Sequence, residues 1–149
     1  MDRVFNATPH DVVVRIEAIK DTVKFEKSTD LTLRCDWESG GEAESTFGIK
    51  VLKNGPYSLT APPDFKFKDG DVIITSQIVG NAVEAMTPQD FSVIFQGKKV
   101  RIVSPGSGPD QAERTKEGQI KESFLLIEYL PSQNEDNRVI TKRIRTESK

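Results

Sequence analysis

The stretch Asp71-Val72-Ile73-Ile74-Thr75-Ser76-Gln77-Ile78-Val79 limits what this chain can fold into more than any other. Asp71 to Thr75 holds a short, continuous apolar run, the pattern of a strand buried on both faces. Ser76 follows at the position of an N-cap, where a hydroxyl can accept an orphan amide of the first helical turn. Beyond it Ile78, Val79, Ala82, Val83 and Met86 recur at helical spacing and form one apolar stripe. The pattern predicts a strand, a tight turn and a helix of about ten residues that Thr87-Pro88 stops or restarts. Gly80 inside that helix costs about 1 kcal/mol relative to Ala.

A buried strand needs neighbours, and the rest of the sequence offers them in short pieces. Arg3 to Asn6 is one, interrupted at Pro9, which cannot donate to a ladder. Asp11 to Ile16 is β-branched and resumes it. Leu31, Leu33 and Cys35 alternate with polar residues, which places Cys35, and Trp37 beyond it, on a buried face. Phe47, Ile49 and Val51 repeat the alternation more weakly, so that 31–52 reads as a hairpin turning at Ser39-Gly40-Gly41-Glu42. Tyr57-Ser58-Leu59 precedes an extended Ala61-Pro62-Pro63, and Lys68-Asp69-Gly70-Asp71 is a turn. Phe91 to Phe95 and Val100 to Val103 read as a second hairpin, and Ser123 to Leu130 as a last, central strand. The expected fold is α+β and β-rich: six to eight short, mostly antiparallel strands, about that many by run length, with one packed helix. Residues 1–131 form a single domain, and 132–149 read as a disordered charged tail, poor in large apolar residues.

With 149 residues, 30% charged and 36% hydrophobic, the chain can bury a core unaided. A net charge of -2 argues against a dedicated nucleic-acid binder. No leader or spanning segment is visible, so the expected address is cytoplasmic and reducing, with no membrane partner. The single Cys excludes an internal disulfide and a Cys-based zinc cage, and the scattered Asp90, Asp110 and Glu128 make no catalytic pair. No metal site is expected, and the residues name no cofactor. Asn6-Ala7-Thr8 matches a glycosylation sequon, which Pro9 and the absent leader disfavour.

Chemistry then falls to a few positions. His10, the sole histidine, stands where a strand breaks and a side chain can enter a cleft. Thr8 and Asp11 flank it. Ser104-Pro105-Gly106-Ser107-Gly108-Pro109-Asp110 is the most ligand-like loop, with glycine amides and hydroxyls suited to an anion, yet it lacks the Lys-Ser/Thr of a phosphate loop. The turn at Ser76 combines a strand end with a helix start. Thr8, His10, Ser76, Ser104, Ser107 and Asp110 are therefore the candidate ligand-binding residues.

Three stretches, in this order, resemble a family of small phage, prophage and microbial proteins. Asn6-Ala7-Thr8-Pro9-His10 is similar to that family's Asn-Leu-Thr-Pro-His opening. Asp71 to Val79 resembles its strand-to-helix segment. Ser104 to Pro109, with Gly118-Gln119-Ile120, resembles its closing loop, turn and final strand. The resemblance implies no established activity. It points to Thr8, His10 and Ser76 as matching recurrent positions. Ala7, the insert near 36–46 and the charged tail depart from the pattern.

Three functional classes follow. The favoured one is a binding domain for a small anionic or nucleotide-like molecule. The second is an enzyme with His10 as general acid or base and Ser76 or Asp110 as its partner. The third is a protein-interaction domain that uses strand edges and the tail, where Lys142-Arg143-Ile144-Arg145 is densely basic.

Overall fold

The computed structural model describes residues 3–37, 39–54, 57–131 and 144–148. Its organising unit is the predicted strand-to-helix segment. β1 (Val4–Asn6) lies parallel to β6 (Val72–Ile74), and β6 lies parallel to β7 (Arg101–Pro105). β10 (Leu126–Tyr129) closes this first sheet antiparallel to β7, in the order β1-β6-β7-β10. Two helices, α1 (Gln77–Glu84) and α2 (Pro88–Ile94), make the crossover from β6 to β7. Parallel neighbours require such a crossover, because no tight turn can join them.

A second sheet has the order β3-β2-β9-β8. β2 (Val12–Ile16) and β3 (Asp21–Phe25) form a hairpin, as do β8 (Ala112–Arg114) and β9 (Ile120–Ser123). The two hairpins meet where β2 and β9 pair parallel at Val14 and Ser123. Arg15 ties the sheet together through Glu113 and Glu122, on β8 and β9. The third sheet has the order β11-β5-β4, formed by β4 (Arg34–Trp37), β5 (Tyr57–Ala61) and β11 (Ile144–Ser148).

Helix α1 packs against β7 and β10 on one side and against β4 and β5 on the other, so it fills the space between the first and third sheets. Val79, Ala82 and Val83 supply its buried face, which joins Met86, just past the helix, and Leu31, Leu33, Leu59 and Ile73 in one core. Ile78 completes the apolar stripe in sequence but stays exposed. Five phenylalanines extend the core as a chain of ring contacts: Phe5 to Phe65, Phe67, Phe95 and Phe91, with neighbouring centroids 4.6 to 5.1 Å apart. Spacings of this kind favour edge-on and tilted aromatic packing.

The α+β class holds, and several finer expectations do not. There are two helices rather than one, and four of the eight strand pairings among the described residues are parallel. Eleven strands, not six to eight, are present among those residues. Phe91 to Ile94 is helical because Thr87 caps the segment: the Thr87 hydroxyl accepts the Asp90 amide at 3.1 Å, and Pro88 starts the first turn. No hairpin therefore joins 91–95 to 100–103. The proposed 31–52 hairpin is replaced by pairing of β4 with β5, and residues 39–54 form an excursion between them with only isolated bridges. At its tip Phe47 adopts φ 52° and is 97% exposed.

Trp37 is a further correction. It is 44% exposed, at the end of β4, with its indole N–H donated to Asn54 Oδ1 at 2.7 Å. The run from Ser123 to Leu130 is not one strand. It changes sheets at Phe124-Leu125, and β10 is an edge strand rather than a central one. Within the stretch read as a tail, 144–148 pairs parallel with β5. Residues 132–143, which include Lys142 and Arg143 of the basic cluster, lie outside the described residues.

Candidate functional site

The carboxyl ends of β1, β6 and β7 emerge on the same side of the first sheet, since the three strands are parallel. The chain that leaves β1 turns at Ala7 to His10. The turn is built on Asn6, which is 2% exposed. Asn6 Nδ2 donates to the carbonyls of His10 and Phe25, both at 2.8 Å. Its Oδ1 accepts the Thr8 amide at 3.0 Å and lies 2.6 Å from the Thr8 hydroxyl. That hydroxyl also lies 2.7 Å from the His10 carbonyl, so its one proton is shared between two acceptors. The Asn-x-Thr-Pro-His segment thus fixes a backbone turn and leaves the His10 imidazole at the surface.

The chain leaving β6 starts α1. Ser76 is the N-cap, with Oγ accepting the Val79 amide at 3.3 Å. Thr75 beside it is buried and hydrogen-bonded to backbone carbonyls. The chain leaving β7 enters the Ser-Pro-Gly loop.

A cleft of about 670 Å³ lies against these three strand ends. Thr8 and His10 come from the first, Thr75, Ser76 and Gln77 from the second, Pro105 and Ser107 from the third. The second sheet supplies the opposite wall: Asp11, Val12 and Val13 on one hairpin, and Arg114, Gln119, Lys121 and Ser123 on the other. Open α/β sheets place ligands in this location, outside the carboxyl ends of parallel strands. The volume is that of a small-molecule site.

The structure therefore brings together Thr8, His10, Ser76 and Ser107. It does not bring Ser104 or Asp110. Ser104 is buried on β7, with its hydroxyl 2.8 Å from the Tyr129 hydroxyl. Asp110 is exposed and outside the cleft lining. The loop glycines serve packing rather than an anion. The Gly106 amide donates to the Leu125 carbonyl at 3.0 Å, and the Gly108 amide to Gln111 Oε1 at 2.9 Å. A Cβ on Gly106 would meet Leu125 Cδ1 at 2.7 Å, which explains the residue type.

Arg114, Gln119 and Lys121 escaped the sequence reading. The signal available was the alternation Gln119, Lys121, Ser123, which puts three polar residues on one face of a strand. Arg114 is oriented by its hydrogen bonds to the Gly118 and Ser107 carbonyls, at 2.6 and 2.8 Å. Among the described residues Asp11 is the only carboxylate in the lining. The Lys27 backbone N–H, donated to its Oδ1 at 2.9 Å, holds its pKa below the usual value, and Lys24 adds to this at 3.5 Å. Among the described residues His10 makes no side-chain hydrogen bond to Ser76, Asp110 or Asp11, and no three metal-ligating side chains gather. None of the described helices is long and apolar enough to cross a membrane.

No known protein family has a model that matches this sequence, and no curated protein and no solved structure matches it either.

Proposed function

We propose that this domain binds a small anionic, nucleotide-like molecule in the cleft at the ends of β1, β6 and β7. The observation that carries the reading is the convergence of Thr8, His10, Ser76 and Ser107 with Arg114 and Lys121 on one cavity of ligand size. Two cations and three hydroxyls there suit a phosphate or carboxylate. Val12, Val13, Pro105 and Ile120 give the same cavity apolar wall for a ring. The resemblance to the phage and prophage family adds weight to Thr8, His10 and Ser76 and supplies no chemistry of its own.

The test is a thermal-shift and calorimetric screen of nucleotides and phosphorylated metabolites. A true ligand at a hundred times its Kd stabilises the fold by about 2.7 kcal/mol. Lys121→Ala should weaken that ligand while leaving the unliganded melting temperature near its original value, since Lys121 is exposed and its pair with Glu113 is an exposed one. A screen in which no phosphorylated compound stabilises the protein would remove this reading.

A further inference from the structure

Thr8 and Ser76 also line a second cavity, of about 600 Å³, and so form a ridge common to both. Its other polar walls come from residues 27–35, which the first cleft does not touch. Lys27 and Ser28 follow β3, Thr32 and Leu33 precede β4, and Arg34 and Cys35 belong to it. Val79 and Ala7 give it an apolar floor. Two ligand-sized cavities that share one wall can hold one extended molecule.

The charges of the two linings point the same way. Over the whole chain acidic residues outnumber basic ones, 23 to 21. In the cavities the balance is reversed. Arg114 and Lys121 line the first, Lys27 and Arg34 the second, and Asp11 is the one carboxylate in either among the described residues. Asp11 is already engaged by the Lys27 amide and Lys24. Arg34 pairs with Asp36 at 2.7 Å and Lys121 with Glu113 at 3.9 Å, but all four side chains are exposed. Exposed pairs contribute about 0 to 1 kcal/mol, so these cations can turn to a ligand at small cost. Cys35 lines the second cavity, and burial, with Asp36 beside it, pushes its thiol pKa up.

We infer that the ligand is an extended molecule with an anionic group at each end, one held by Arg114 and Lys121, the other by Lys27 and Arg34, its middle crossing the Thr8–Ser76 ridge. A nucleotide phosphorylated at both ends has this chemistry. The inference rests on the reading of the first cleft given above and adds the second cavity to it.

The experiment is calorimetric titration of the full chain with two matched pairs of probes. ADP and adenosine 3′,5′-bisphosphate carry two phosphates each, placed at one end or at both. ATP and adenosine 3′-phosphate 5′-diphosphate make a second pair, with three phosphates each. The expected result is that the two-ended member of at least one pair binds tenfold or more tightly than its partner. In the Lys27→Ala/Arg34→Ala double variant that ratio should fall to near one. Both substituted residues are exposed, and an unchanged melting temperature checks the fold. Equal affinity within both pairs, or a ratio that survives the double variant, overturns the two-cavity inference and leaves the first-cleft reading standing. Failure of all four probes to bind overturns the two-cavity inference, and the broader screen then decides the first-cleft reading.

Discussion

Asn6 donates its side-chain amide to the His10 carbonyl at 2.8 Å, four residues along the chain, from a position that is almost fully buried. One side chain thereby holds the rim of the cleft from beneath. Asn6→Ala would leave the His10 and Phe25 carbonyls and the Thr8 amide without that partner. The expected loss is about 2 kcal/mol of stability, the cost of orphaned buried polar groups. Weaker binding of any cleft ligand should accompany it. Urea unfolding measures the first effect and titration the second; an unchanged unfolding midpoint would show that the turn holds without its asparagine.

Gly80 sits mid-helix, where Ala would ordinarily stabilise by about 1 kcal/mol. Here a Cβ would stand 2.4 Å from Tyr129 Cε2. Tyr129 cannot move aside freely, because it is buried and its hydroxyl is 2.8 Å from that of Ser104. Gly80→Ala is therefore expected to destabilise, by about 1 to 3 kcal/mol as overpacking does. A raised melting temperature would mean that the ring yields.

Asp71 and Arg3 set the acid sensitivity of the first sheet. Arg3 donates to both carboxylate oxygens of Asp71, at 2.8 and 2.7 Å, and the Lys68 amide donates at 2.9 Å. Burial opposes ionisation of this 1%-exposed carboxyl, but the hydrogen bonds and the Arg3 charge outweigh it and lower the pKa. A lowered folded pKa stabilises the fold above the unfolded value, near 3.9, and that contribution is lost as pH falls through the folded pKa. Asp71→Asn should thus destabilise by about 2 kcal/mol at pH 7. The gap to the native sequence should narrow below about pH 4. Denaturation series at both pH values would show it; a gap independent of pH would exclude the linkage.

Phe47 occupies a left-handed backbone position, φ 52°, at the tip of the 39–54 excursion, with its ring almost wholly in solvent. That conformation costs a residue with a bulky side chain about 1 to 2 kcal/mol, and Asn tolerates it better. Phe47→Asn is expected to raise the urea midpoint without altering its slope. A lowered midpoint would mean that the ring contributes packing after all.

The parts legible in the sequence are those with local causes. Ser76 as a cap, the β6 run and the turn around Thr8 and His10 are written within a few residues of where they act. Thr87-Pro88-Gln89-Asp90 was equally local, and a Thr cap, a Pro at the first helical position and an acid in the first turn would have marked α2. The apolar run Phe91-Ser92-Val93-Ile94-Phe95 misleads because a short buried helix and a short strand look alike in hydropathy. The break at Phe124-Leu125 was not legible. Nothing in an apolar stretch states that its halves pair with different sheets. Arg114 and Lys121 reach the cleft only because β2 and β9 pair, a contact that spans more than a hundred residues in sequence, Val14 to Ser123.

The pairing of β1 with β6 joins Val4 to Val72. By contrast, β6, α1, α2 and β7 all lie within residues 72–105. Closing the longer loop costs more chain entropy before any contact repays it. Refolding should accordingly nucleate in the crossover unit, with β1 docking afterwards. Since Thr8 and His10 arrive only with β1, the cleft should assemble after the return of helical signal, and the newly made chain would spend that interval folded in its centre with its cleft unformed.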